Sequence, residues 1–457
     1  MNFIQQYIRS LLHRLLGKDL DEKVRNYFIS GAYKSVFMQA CIALLTFITS
    51  LFIARVTGDE GFGVYTTVFT WIAILSVLAT FGLDDLVLKK IPVYKQQKAT
   101  RKIKGLVVWS NLLGLLLGLS IALTFICLIY VLPSLGLYRY VNYFQWAIWV
   151  VPLFVLMHIN QAILRSLHHF GWGQFAEKFV QPFSFFILLV LFYCIFDYQL
   201  TDKQAVLARC LSFVAAAIFA LFLMLKFSRE FKTNKGVVLE HKAWVSSCRY
   251  FTLMSVLYIV NTRIDIVFLG LYQVGDASIA HYNAALKLSD LSLIPFVVLY
   301  TVTAPMYAQL YADKNQQKLQ SFFTKTTRLA FFVVSIILSL LMLGGEYFLM
   351  LFGENFKAGY TVLIVLCLAK LIHVFFGPVN YLLMMIDFEK EAAIALCFSV
   401  LITFLGHTIL IPTFGIEGAA IASLIGLLSF EIVLSYIAYK RAGIIPTIIG
   451  RFSSKNK

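Results

Sequence analysis

Runs of about twenty apolar residues alternate along this chain with short polar segments, and the length of each run predicts a helix that crosses a bilayer. Twelve stretches qualify, near residues 31–54, 62–83, 105–132, 143–164, 176–197, 204–226, 244–270, 279–308, 324–352, 358–386, 391–412 and 416–439. The pattern predicts an all-α polytopic membrane protein.

A short phrase recurs after the first and seventh runs. Gly58-Asp59-Glu60-Gly61-Phe62-Gly63-Val64-Tyr65 is echoed by Gly275-Asp276-Ala277-Ser278-Ile279-Ala280-His281-Tyr282, each with Tyr six positions after Asp. Matching places in the two halves point to an internal duplication. With six spans per half, both copies enter the membrane from the same side, so the repeat is parallel, as in carriers that hold substrate between two bundles. The predicted organisation is an amphipathic segment over 1–30, an N-lobe over 31–226, a linker over 227–243, a C-lobe over 244–439 and a tail over 440–457. Phe3, Ile4, Tyr7, Ile8, Leu11, Leu12, Leu15 and Leu16 share a face opposite Arg9, His13 and Arg14, which predicts a helix lying on the membrane surface.

Composition agrees with the pattern: 60% of residues are hydrophobic, 14% are charged and mean hydropathy is +0.81. The net charge of +16 is not a nucleic-acid footprint, because it is placed by topology. Alternate inter-span segments, termini included, hold 29 of the 39 Lys and Arg, and the others only Arg55, Arg139, Lys203 and Lys357. This positive-inside asymmetry predicts both termini in the cytoplasm of an inner-membrane protein, with basic loops against anionic lipid. Seven separate cysteines without a Cys-x-x-Cys pair imply neither disulfides nor a metal centre, and no cofactor motif is present. Outward loops of roughly a dozen residues or fewer leave no room for an external catalytic domain.

Ionisable residues inside spans each cost about 2.5–3.5 kcal/mol on insertion scales and therefore mark candidates. The seventh span carries Arg263 between two further polar positions, Asn261 and Asp265. The eighth carries Lys287 and Asp290 at i, i+3, close enough to neutralise each other. In the tenth, Lys370, His373, Gly377 and Asn380 form one stripe beside Pro378. His158 and Gln161 of the fourth span could line the mouth of a cavity, and Arg55 and Lys34 stand at opposite ends of the first. Gly114-x-x-x-Gly118 reads as close helix packing. Basic residues exceed acidic ones inside the spans, which suits an anionic substrate held by charge-assisted hydrogen bonds. The candidate substrate-binding set is Arg263, Lys287, Lys370, Asn261, His373, Asn380, Arg55 and Lys34, with Asp265 and Asp290 as candidate ion-coupling carboxylates.

These features together resemble the multidrug/oligosaccharidyl-lipid/polysaccharide exporter superfamily, and within it the polysaccharide and O-antigen repeat-unit flippases. The resemblance is carried by Gly58 to Tyr65, by Arg263-Ile264-Asp265 through Tyr282, by Leu351-Phe352-Gly353-Glu354 and by Gly415-Ile416-Glu417-Gly418-Ala419-Ala420. It implies a MATE-like fold of two six-helix lobes that alternate access to a central cavity. It also implies translocation of undecaprenyl-pyrophosphate-linked oligosaccharides for O-antigen, capsule or exopolysaccharide synthesis, without enzymatic activity. A polysaccharide polymerase and a chain-length regulator are the implied protein partners. Two alternatives stay open: an H⁺- or Na⁺-coupled multidrug antiporter using Asp265 or Asp290, and, more distantly, a membrane glycosyl- or acyltransferase with His373 or His407.

Overall fold

A computed structural model describes residues 22–133, 136–167, 169, 171–196, 199–227, 237–313 and 315–450; the side chains of 22–40, 301, 302, 304 and 305 are outside the description. The expected surface helix at the N-terminus and the Lys34 side chain therefore lie outside the described residues. The helices run in the order α1 (Glu22–Thr80), α2 (Leu83–Gln96), α3 (Thr100–Val131), α4 (Val141–Ala147), α5 (Val150–Ser166), α6 (Trp172–Phe175), α7 (Gln181–Ile195) and α8 (Asp202–Phe227). They continue with α9 (His241–Leu271), α10 (Asp276–Leu291), α11 (Ile294–Ala312), α12 (Gln316–Leu349), α13 (Tyr360–Phe376), α14 (Val379–Met385) and α15 (Glu389–Ala442).

Among the described residues, eight helices are long and apolar enough to cross a membrane, or up to ten if two pairs bent by 47° and 45° each count as one span. Two of the eight are 56 and 54 residues long, far beyond the ~20 that a bilayer needs. The first takes in α2 beyond Phe81–Gly82 (φ 50 and 61), and each is broken within its apolar length by a glycine of positive φ, Gly58 (φ 73) and Gly415 (φ 56). Dividing them there accounts for all twelve expected spans in an all-α polytopic membrane protein.

The chain forms two compact units, one of residues Ile48–Asn283 and the other of Met1–Phe47 with Ala284–Lys457. In the first, a core of Leu83, Leu86, Val87, Ile91, Ile103 and Leu106 joins α2, α3 and α5. The basic segment 84–104 is thus not an open loop. Its apolar residues recur every three to four positions, so α2 forms and buries that face while its lysines point outward. Gly114 and Gly118 of α3 do serve close approach: a Cβ would stand 2.5 Å from Ile159 Cδ1 at the first and 2.8 Å from Pro152 Cα at the second. In the other unit the core gathers Tyr307, Phe322, Phe323, Leu382, Leu383 and Leu434.

The duplicated phrase is a structural joint. Its leading glycines both take positive φ, 73° at Gly58 and 106° at Gly275, a conformation that a Cβ would strain. Within the first unit the two copies meet. Asn283 Nδ2 donates to Thr66 Oγ1 at 2.8 Å across 217 residues, the same separation that relates the two phrases, so equivalent positions touch each other. A Cβ on Gly63 would lie 1.9 Å from the Asp276 carbonyl oxygen, and nearly in return Asp59 Oδ2 lies 3.7 Å from His281 Nε2. This reciprocity is the signature of a local pseudo-twofold. Asp276, in the first turn of α10, also receives the Tyr140 hydroxyl and pairs with Arg139 Nη2 at 3.3 Å. A carboxylate at a helix N-terminus is favoured by the helix dipole.

The end of the inter-half linker docks on the first unit. Val238 O would meet a Cβ on Gly105 at 2.2 Å, so only glycine lets the chain pass there. Glu240 then accepts from Lys102 Nζ at 2.6 Å and from the Tyr94 hydroxyl at 2.6 Å. The Lys102 bond first, and the Tyr94 bond second, hold the Glu240 carboxyl below its ordinary value of 4.5. A depressed carboxyl contributes stability above its unfolded pKa and loses it as pH falls through the folded one. Glu240→Gln is therefore expected to remove part of the loss in thermal stability expected as pH falls below about 4.5. The effect is small because the pair is partly exposed. Parallel acid melts of the two proteins check this.

Candidate functional site

In the unit that contains Ala284–Lys457, four titratable side chains from α10, α13 and α15 form a line. Asp290 Oδ1 pairs with Lys370 Nζ at 2.6 Å, and His373, one turn further along α13, bonds Glu431 Oε1 through Nδ1 at 2.7 Å. The expected neutralisation of Asp290 by Lys287 is replaced by this cross-helix pair. Lys preceding Asp at i, i+3 is the weaker orientation on a helix, so a cation from α13 competes well. Lys287 itself is half-buried.

The line grades from open to closed. The side chains of Asp290 and Lys370 are 54% and 19% exposed, those of His373 and Glu431 28% and 2%. Glu431 Oε2 is buried without a hydrogen-bond partner among the described residues, an arrangement that costs free energy unless the site is used or solvated. Aromatic rings flank the charges. Phe296 meets His373 edge-on at 5.1 Å, and Tyr300 stacks on Tyr381 at 3.9 Å with a 2.9 Å hydroxyl bond between them.

The helix is broken beside Pro378. The helix α13 stops at Phe376, Gly377 takes φ 79°, and α14 starts at Val379. A Cβ at Gly377 would stand 2.4 Å from Thr327 Oγ1, so the break also lets α13 and α12 touch. Asn380 stands half-buried just after it.

In the other unit the polar residues of α9 separate. Asp265 is 6% exposed and accepts from the Tyr282 hydroxyl at 2.7 Å, so the tyrosine of the repeated phrase caps this carboxylate. Asn261 is half-buried, whereas Arg263 is exposed and has no carboxylate partner among the described residues. Arg55 is exposed near the end of the first span.

His158 and Gln161 both face Glu177. The His158 ring stacks on Phe154 at 4.0 Å, and Gln161, 2% exposed, turns its amide toward Glu177. Glu177 is half-buried, and its carboxylate lies 3.8 Å from His158 Nε2. Arg209, another basic residue within a span, lies over the rings of Phe69, Phe185 and Phe213 at 4.7–5.9 Å.

Sequence reasoning left Glu431, Phe296, Tyr300 and Tyr381 out of the candidate set. Glu431 carried a signal, since an acid within a span demands a partner. The tyrosines carried none in a chain with 23 of them. No cluster of His, Cys, Asp and Glu able to hold a metal is found among the described residues.

No curated protein matches the chain in sequence. Solved structures do match in fold. An inward-facing multidrug resistance MATE family transporter of the MOP superfamily superposes with a TM-score of 0.73 at 17% identity, over 88% of this chain and 94% of its own. A MOP superfamily transporter from Pyrococcus furiosus gives 0.62 at 17% identity, over 90% and 96%. A MATE in the bent conformation gives 0.59 at 18% identity, over 89% and 92%. The fold is therefore MATE-like. A family model described as polysaccharide biosynthesis protein matches residues 30–311, more than half of the chain. The chain belongs to the polysaccharide biosynthesis protein family, and its fold is that of MATE transporters.

Proposed function

We propose that this protein is a flippase for undecaprenyl-pyrophosphate-linked oligosaccharides, moving repeat units of a surface polysaccharide such as O-antigen, capsule or exopolysaccharide across the inner membrane. One observation carries the reading: the candidate carboxylates are occupied while a cation is left over. Asp265 is held by Tyr282, Asp290 by Lys370 and Glu431 by His373, whereas Arg263 has no carboxylate among the described residues. The balance inside the spans is basic, and an anion is the substrate it complements. The aromatic rings beside Lys370 suit the apolar faces of sugar rings.

In this mechanism two lobes, 31–226 and 244–439, joined by the cytoplasmic linker 227–243, alternate access to the substrate. Arg263, Lys287 and Lys370 receive the pyrophosphate and acidic sugars, with Asn261, His373, Asn380, Arg55 and Lys34 as further contacts. Lys370 reaches the anion by exchanging its Asp290 partner for it. An inside-negative potential favours outward movement of the anion by about 2.3 kcal/mol per charge per 100 mV if the full field is crossed. Both termini face the cytoplasm, and a polysaccharide polymerase and a chain-length regulator take over the product.

A multidrug antiporter is the competing function, and Asp290 separates the two. In proteoliposomes carrying a fluorescent lipid-linked oligosaccharide, Asp290→Asn releases Lys370 for the anion. Translocation is expected to continue with an unchanged or lower KM. In a cation antiporter the same variant abolishes dye transport. Dye efflux lost with Asp290→Asn, and no flipping by the unmodified protein, overturns the flippase assignment.

A further inference from the structure

Beyond the transport path, the unit containing residues 284–457 holds a second polar cavity. The chain after α15 turns back and straps itself across the first turns of α12. Gln320 fixes it from both sides, accepting from Ile445 N–H at 2.7 Å and donating to Ile445 O at 2.9 Å. Thr324 Oγ1 donates to Gly450 O at 3.2 Å, Arg328 Nε donates to Ile448 O at 2.6 Å, and Ile448 N–H donates to Phe375 O at 3.1 Å. A Cβ on Gly450 would stand 2.2 Å from Ile445 O, so glycine lets the strap fold this tightly.

Strap and helix border an open cavity of about 290 Å³. Gln317, Gln320, Ser321, Thr324, Lys325 and Arg328 line it together with Gly450, and among the described residues no carboxylate does. Gln320 and Thr324 are 2% and 5% exposed, so its floor is buried and polar. Lys325 is exposed without an ion-pair partner among the described residues. Arg328 spends only its Nε on the strap.

The position is as telling as the chemistry. Ala330-Phe331-Phe332-Val333 follow Arg328 almost at once, and at 1.5 Å per residue the two cations lie within a turn or so of the apolar run. That is the depth of lipid head groups. The volume sits below the usual range for small-molecule pockets, too small for an oligosaccharide and suited to a single head group.

We propose that this strapped cavity is a binding site for a phosphate group, taken from an anionic phospholipid, with Lys325 and Arg328 as its cations and the hydroxyls of Ser321 and Thr324 beside them. Phosphate is favoured over a carboxylate because two cations and several neutral donors converge without a counter-ion. Docked lipid pins the strap to α12.

The test uses the full chain in phosphatidylcholine nanodiscs, with or without phosphatidylglycerol, and separately with millimolar inorganic phosphate. Phosphatidylglycerol retained through detergent washes and the shift of the unfolding midpoint are both measured. A Lys325→Gln/Arg328→Gln variant is expected to lose retention by about twenty-five-fold, since each basic residue near a lipid surface is worth about fivefold. Lys325→Gln alone leaves the strap bonds in place and is expected to lose about fivefold. A Lys89→Gln/Lys90→Gln control is expected to lose far less. Stabilisation by phosphatidylglycerol alone identifies the lipid as the source, and stabilisation by inorganic phosphate as well extends the site to the free anion. Equal losses in both double variants, or no loss, overturn the site. Arg263→Ala leaves the retention unchanged, so failure here is separable from failure of the flippase assignment.

Discussion

Under the proposed flippase function, Arg263→Ala is expected to abolish glycan export, while the protein still inserts at normal levels. The argument rests on what Arg263 costs. A mid-helix arginine is unfavourable by about 2.5–3.5 kcal/mol on insertion scales, and no carboxylate among the described residues offsets that. Alanine is therefore easier to insert, so a loss of export cannot be charged to folding. The expected reduction is at least about a hundredfold if one charge-assisted contact to phosphate worth about 3 kcal/mol is lost. Arg263→Lys keeps the charge but not the fork and is expected to retain partial export. Surface glycan and membrane-fraction immunoblots read the two quantities separately. Normal surface glycan in Arg263→Ala removes this residue from the site.

Gly63→Ala is expected to destabilise the protein by about 3 kcal/mol or more. The added Cβ would fall 1.9 Å from the Asp276 carbonyl oxygen, a backbone atom that cannot swing aside. To yield, the two copies of the repeated phrase must part, which stretches Asn283–Thr66 as well. The sign runs against intrinsic preference, because alanine in a helix is better than glycine by about 1 kcal/mol. Gly344→Ala is the matched comparison. Its new Cβ would meet only Phe348 at 3.6 Å, ordinary contact, and a small gain is expected. Midpoints of thermal unfolding in one detergent distinguish the pair, and equal midpoints would refute the steric account.

The parts of this molecule that could be read from sequence are those with a local cause. Apolar runs fix spans because backbone polar groups must be satisfied inside the helix once water is gone. Gly58 and Gly275 announce turns because positive φ excludes most other residues. Gly377-Pro378 likewise marks a break within one stretch of chain. Partner choice has no such local cause. Nothing near Asp290 in sequence says that Lys370, eighty residues on, will outcompete Lys287, and Glu431 meets His373 across 58 residues. The charge-rich stretch 84–104 misled for the opposite reason. Its lysines dominate the composition, while the apolar spacing that buries α2 is set by only a few residues. The site residues were legible as a set of costly charges and illegible as a circuit.

The hydrogen bond between Asn283 and Thr66 bears on how such a chain arose. A single six-helix protein assembling as a dimer would place this position against its own copy across the twofold, and every mutation there would strike both sides of the contact at once. After gene fusion the two sides become separate genetic loci. An amide donor facing a hydroxyl acceptor is an unequal pair, open only to a fused chain. The same freedom would have let one half collect Arg263, Lys287 and Lys370 while the other kept none at the matching positions.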